Sequence, residues 1–272
     1  MTEARASTKL APAGAKWKPR TGRLAYILRT VGVFAFFTLP YPPTADGLLT
    51  ISAHLDVEKC LPGNAPRHPS GDRNQVLSAG ATFIWRLEAA SIHPYWPGGA
   101  SGITLGIGWD VGHHTESDLR KTWRELDQVS LEALALTAGK KGDQASRLLP
   151  MVKDILISES LSRRVFIDSM PRYYDEMLGI FPESRRLPTD VQVSLLSLVF
   201  NRGSGLGKAL PEDVDARFEM RTLQGAVRDQ DITGIYYRFS NMIRLWEHTP
   251  LGKGLANRRR SEMRLIRPYI CF

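Results

Sequence analysis

The sequence predicts a mainly α fold of the α+β type: a helical lobe with a long central helix, a small β-hairpin lobe, and an N-terminal appendage in front of both. Three observations lead there. Apolar residues recur at helical spacing in most segments between residues 115 and 203. One stretch, SGITLGIGWDVG at 101–112, sets Ile103, Leu105 and Ile107 against Gly102, Thr104, Gly106 and Gly108, which is the period of a strand. The run PGNAPRHPSGDR at 62–73 is rich in Pro, Gly and polar residues and reads as a linker, so residues 1–73 form the appendage and 74–272 the domain.

The appendage has two parts. Residues 1–23 are small, polar and basic, a composition without enough apolar surface to order a chain. LAYILRTVGVFAFFTL at 24–39 is the most apolar run, followed by Pro40, Pro42 and Pro43. A basic leader before a short apolar run suggests an export signal ending near Thr44-Ala45, yet Arg29 interrupts the run and Pro43 sits awkwardly for cleavage. The run is also short of the roughly 20 apolar residues a spanning helix needs. A signal or membrane-interacting segment, a docked structural element, and a site for secretion machinery or a chaperone all stay open. Cys60 and Cys271 are the two cysteines; they fit a disulfide tying the ends of the domain together or two separate buried thiols.

The domain begins with ATFIWRLEAA at 81–90, a helix by the spacing of Phe83, Ile84 and Leu87, with Glu88 near its end among apolar neighbours. Such surroundings suit a general acid, because desolvation disfavours the charged form of a carboxyl group. HPYWPGG at 93–99 breaks the helix with two prolines and turns at Gly98-Gly99. In the strand that follows, Thr104 and Asp110 share a face, but fully extended they would stand about 20 Å apart at roughly 3.3 Å per residue. They can meet only across a bend. Gly106 and Gly108 lack the Cβ that penalises positive φ, so the run can fold into a tight hairpin or a bulge that faces the helix bearing Glu88.

Further on, TESDLRKTWRELDQVS at 115–130 carries a Thr cap with Leu119, Trp123 and Leu126 on one face; LEALALTAG stops at Gly139; 145–157 and 159–178 read as helices. RLPTDVQVSLLSLVFNRG at 186–203 is a helix with an apolar stripe of Val191, Leu195, Leu198 and Val199. There is no internal repeat.

Two carboxyl groups and a hydroxyl fit glycoside hydrolysis: an acid assists the leaving oxygen while a carboxylate activates a water or stabilises the oxocarbenium-like centre. By spacing alone, Glu88 also reads as a surface carboxylate, Thr104 as a strand former and Asp110 as a turn former. The segment nevertheless resembles a known group. A helix Glu followed by Ser-Gly-Ile-Thr-Leu-Gly-Ile-Gly-Trp-Asp is similar to the pesticin-like branch of the phage-lysozyme-like muramidases. Phage lysozymes proper carry an Asp six residues before the Thr, where this chain has Gly98; the pesticin-like branch carries it six residues after, where this chain has Asp110. The helix at 186–203 resembles the family's central helix, and WEHTPLGKGLANRRRSEMRLI at 246–266 its closing helix, so the resemblance spans about 80–267. It implies a lysozyme-like fold, Glu88 as general acid, and Thr104 with Asp110 handling the water. It also implies a bacteriolytic toxin, effector or lysin that acts on peptidoglycan, secreted or delivered to a target periplasm, with a cognate immunity protein as partner.

Three more residues are substrate-binding candidates, each with a plainer alternative. Asn201 offers an amide to a sugar, or a helix C-cap before Gly203. Trp246 offers a stacking platform, or packing beside Ile243 and Leu245. Arg258 offers a donor fork for a wall carboxylate, although in Arg258-Arg259-Arg260 at least two members read as a solvated helix end. Tyr95-Trp96 would line the cleft or close the small lobe. His113-His114 lack metal-site spacing, so no metal and no cofactor is expected. A net charge of +8 favours anionic partners, but without a nucleic-acid motif it points to no nucleic acid and suits a wall bearing peptide carboxylates. A non-catalytic wall-binding module of the same fold remains the rival.

Overall fold

The computed structural model describes residues 70–88, 90–212, 214–249 and 252–270. The leader, the apolar run, Cys60 and Cys271 lie outside the described residues. Among the described residues the chain meets the domain from Ser70 onward: Ser70 bridges to Pro188, and Gly71 N donates to Leu187 O.

Helix α1 (Arg73–Leu87) starts where Asp72, at the end of the expected linker, accepts from the backbone N–H groups of Asn74 and Gln75. Past its end the chain turns extended at Glu88, and residues 93–95 belong to a strand rather than to the expected break. The strand β1 (Ser91–Tyr95) tolerates Pro94 because it is the edge of a three-stranded antiparallel sheet ordered β1-β2-β3, with β2 Thr104–Gly106 and β3 Trp109–Asp110. The helices α2 (Glu116–Thr122), α3 (Gln128–Ala135), α4 (Asp143–Val152), α5 (Glu159–Ile180), α6 (Thr189–Arg202), α7 (Phe218–Arg228), α8 (Ile232–Asn241) and α9 (Lys253–Ile266) complete the domain. The molecule is thus mainly helical with one small sheet.

The described residues form two apolar cores. One joins the inward face of the sheet (Ile103, Leu105) and Val111 to Leu119 and Trp123, to α3 and α4, and to Leu161 and Val165 of α5. The other gathers α1, α6, α7, α8, α9 and the second half of α5, from Phe166 to Met177. The smaller lobe is therefore a sheet with three short helices, not a hairpin alone, because a three-stranded sheet with one apolar face must bury it against something. The 22-residue α5 is the long helix, and it serves both cores. The central helix is α6, only 14 residues long.

The expected stripe on α6 is also too narrow: every residue from Val191 to Val199 is buried. A helix enclosed on all sides must satisfy its polar side chains internally. Gln192 donates to Leu187 O at 2.8 Å, Ser194 Oγ to Asp190 O at 2.9 Å, and Ser197 Oγ to Glu262 Oε1 at 2.6 Å.

The hairpin bends as its glycines require. Gly106 has φ +54° and Gly108 φ +72°, and a Cβ on Gly106 would stand 3.0 Å from Ser162 Oγ and 3.2 Å from Trp123 Cη2. A Gly106→Val substitution would combine left-handed backbone strain with that crowding. Its expected cost is about 1–3 kcal/mol, read from urea unfolding; wild-type stability would contradict the account of the turn.

Candidate active site

The bend makes Thr104 and Asp110 direct cross-strand partners, and Leu105 the partner of Trp109. Directly opposed residues project from the same face of a sheet. Leu105 enters the core, so Thr104 and Asp110 share the opposite face. On the other side of Thr104, β1 supplies Tyr95 as its partner, after a bulge that shifts the register set by Ser91 and Gly106. Tyr95, Thr104 and Asp110 thus form one row across three strands.

Asp110 is held by backbone. Its carboxylate accepts from Gly102 N at 3.0 Å to both oxygens and from Gly112 N at 2.8 Å, and His113 Nε2 lies 3.7 Å from Oδ2. The turn-former and the functional readings of Asp110 therefore coexist: it caps the short turn Val111–His113 and still keeps acceptor capacity, since a carboxylate offers about four lone-pair sites. Gly102 is essential to that grip, because a Cβ there would collide with Asp110 Oδ1 and the Gly112 backbone. Gly102→Ala is expected to displace the Asp110 carboxylate and to cost about 1–3 kcal/mol of stability by crowding and lost hydrogen bonds, read from urea unfolding; wild-type stability would contradict the grip on Asp110.

Glu88 caps the C-terminal end of α1, where its own N–H donates to Ile84 O at 3.1 Å. Its side chain is 7% exposed and accepts from Arg258 Nη1 through Oε1. Arg258, itself 3% exposed, donates from Nη2 to Ser197 Oγ at 3.0 Å and lies 3.4 Å from Glu262 Oε1 through Nε. Ser197 Oγ donates a hydrogen bond to Glu262 Oε1 at 2.6 Å, and Arg259 Nη2 reaches the same oxygen at 2.7 Å. Two carboxyl groups and two guanidinium groups are therefore buried as one unit in which each meets at least one group of the other kind, although Arg259 Nε and Nη1 and Glu262 Oε2 find no hydrogen-bond partner. Desolvation pushes Glu262 above the usual carboxylate range against the opposing pull of Arg259 and Arg258, and burial lowers Arg259 to about 10.

Tyr95 is the residue the sequence reading left undecided. Burial, then the charges of Glu88 and of Asp110, raise its phenol to about 12. Those two carboxylates stand on different elements, and both lie within electrostatic reach of this one hydroxyl. Trp96 closes the β1–β2 connection by donating to Ser101 O at 3.0 Å. On the far side of the hairpin tip, Ile107 and Trp109 face Tyr173 and Phe200 across a shallow recess.

The three substrate-binding candidates are elsewhere engaged. Arg258 binds Glu88, so it is not free for a wall carboxylate. Arg258 and Arg259 are both buried and only Arg260 fits the solvated helix end, because α9 packs this stretch against α6. Asn201 lies inside α6, half-buried, and its Oδ1 accepts from Arg259 at 3.3 Å; Gly203 is the C-cap, so Asn201 is not. Trp246 is 7% exposed within the larger core, with the guanidinium groups of Arg202 and Arg259 at 5.0 and 5.9 Å from its ring, which leaves no face for a sugar. His114 stacks flat on Trp109 at 4.1 Å, and among the described residues no cluster of three metal-ligating side chains occurs.

No family model matches the chain, and no curated protein matches it.

Proposed function

We propose that this chain is a peptidoglycan hydrolase of lysozyme-like fold, a muramidase that cleaves between N-acetylmuramic acid and N-acetylglucosamine. The observation that carries the reading is the row Tyr95, Thr104 and Asp110 on one face of the sheet, with Tyr95 in electrostatic reach of both Asp110 and the helix-end Glu88. In the reaction, Glu88 gives its proton to the glycosidic oxygen as the bond to the anomeric carbon breaks. A water held by Thr104 and Asp110 adds to that carbon, and its proton passes to Asp110. The row lies on a sheet whose other face is locked into a core, so the water-binding groups are preorganised. Arg258 acts by holding Glu88 rather than by holding glycan.

The net charge of +8 favours a surface rich in peptide carboxylates. The reading extends to a secreted or periplasm-delivered bacteriolytic role, with residues 1–73 serving delivery and an immunity protein covering the cleft in producing cells.

The test is digestion of purified peptidoglycan by the full chain, with mass spectrometry of the borohydride-reduced products. Reduced muramic acid ends are expected. Reduced glucosamine ends would make the enzyme a glucosaminidase, and sedimentation with walls without new reducing ends would make it the non-catalytic binding module.

A further inference from the structure

We propose that Tyr95 is a third group of the catalytic face, its phenol donating a hydrogen bond to the attacking water that Thr104 and Asp110 also hold. The inference rests on the muramidase reading and adds a residue to it.

The strand register carries the argument. Tyr95 pairs with Thr104 and Thr104 with Asp110, so the three side chains leave one face in a line with Thr104 in the middle. Neighbouring strands run about 4.8 Å apart, which puts the Tyr95 and Asp110 backbones roughly 10 Å from one another. A tyrosine is long enough to lean over the central strand, and a water above Thr104 then lies between the phenol and the carboxylate. No hydrogen bond joins Tyr95 Oη to another described residue, so its donor is uncommitted in the free protein.

The hydrogen bonds of that water close without conflict. One of its protons goes to the Asp110 carboxylate and the other to Thr104 Oγ. One lone pair accepts the Tyr95 proton and the second is aimed at the anomeric carbon. On attack the oxygen bonds to carbon, the glycosidic C–O bond breaks, the Glu88 proton goes to the leaving oxygen, and Asp110 takes the water proton. Tyr95 keeps its own proton throughout. It is fit for that, because burial beside two carboxylates holds the phenol neutral to about pH 12, so it stays a donor wherever the enzyme works.

The experiment compares wild type with Tyr95→Phe on purified peptidoglycan. Phenylalanine keeps the ring and removes only the hydroxyl. The expected result is kcat lowered about ten- to hundredfold, the worth of one lost hydrogen bond in the transition state. KM and the positions of both limbs of the pH profile are expected to stay unchanged. A merely structural role would disturb Glu88 or Asp110 and move the limbs. Unchanged kcat, or a higher KM with kcat intact, overturns the proposal. Should Tyr95→Phe fold poorly, 3,5-difluorotyrosine placed at 95 keeps the shape and acidifies the phenol. It is expected to introduce an alkaline limb in kcat that wild type lacks, and absence of that limb also overturns the proposal. Active wild type with an indifferent Tyr95→Phe removes this inference alone; wild type that releases no reducing ends removes the muramidase reading and this residue's role together.

Discussion

A Glu88→Gln chain is expected to digest peptidoglycan about 10²- to 10⁴-fold more slowly than wild type, the usual worth of a positioned general acid. Glutamine matches the shape of glutamate and still offers an oxygen to Arg258 Nη1, so the end of α1 stays in place. It has no acidic proton for the glycosidic oxygen, and the leaving group must depart as an alkoxide. The loss should fall on kcat, with wall binding retained. Some stability is lost as well, because Arg258 is left with Glu262 as its only charged partner. Reducing-end release measured beside the melting temperature separates the two effects. Turbidity clearance at the wild-type rate would show that Glu88 is not the acid.

The largest effect on stability is expected from Arg258→Ala. The guanidinium is 3% exposed and touches Glu88, Ser197 and Glu262, so its removal leaves two buried carboxyl groups with Arg259 as the remaining cation. Breaking a buried pair from one side costs about 3–5 kcal/mol, because the surviving charge is uncompensated. Lysine should not rescue fully, since a point charge cannot serve Glu88 and Ser197 together as the planar fork does. Adding Glu262→Gln to Arg258→Ala should recover part of the loss by removing one stranded carboxylate, and a double-mutant cycle from urea unfolding measures it. A loss below about 1 kcal/mol for Arg258→Ala would mean that the cluster is open to water.

Both expectations show where sequence reasoning reached and where it stopped. The hairpin was legible because its determinants are local: Gly106 and Gly108 permit the positive φ values, and the alternation of Ile103 and Leu105 orients the strand. The Thr115 cap was legible for the same reason, whereas the helix expected to stop at Gly139 ends at Ala135 and Gly139 closes the turns that follow it. Arg258 was not. Its partner Glu88 lies 170 residues away, and no pattern within the closing helix distinguishes an arginine that meets a carboxylate from one that meets water. Asn201 and Trp246 share that ambiguity, since an amide and an indole suit both a cleft and an interior until tertiary packing places them, Asn201 beside Arg259 and Trp246 in the larger core. The long helix was misjudged because two lobes must share a spine, and which helix bridges them depends on what each half of α5 touches.

The sequence by itself therefore determined the mainly helical class, the bend at Gly106 and Gly108 and the shared face of Thr104 and Asp110, all consequences of backbone preference and short-range periodicity. Only the tertiary structure decided that Glu88 is gripped by Arg258, that the arginine-rich helix faces inward, and that Tyr95 completes the row. Those outcomes depend on which distant side chains share a desolvated space, and the energy of a charge or a hydroxyl there is set by its partners.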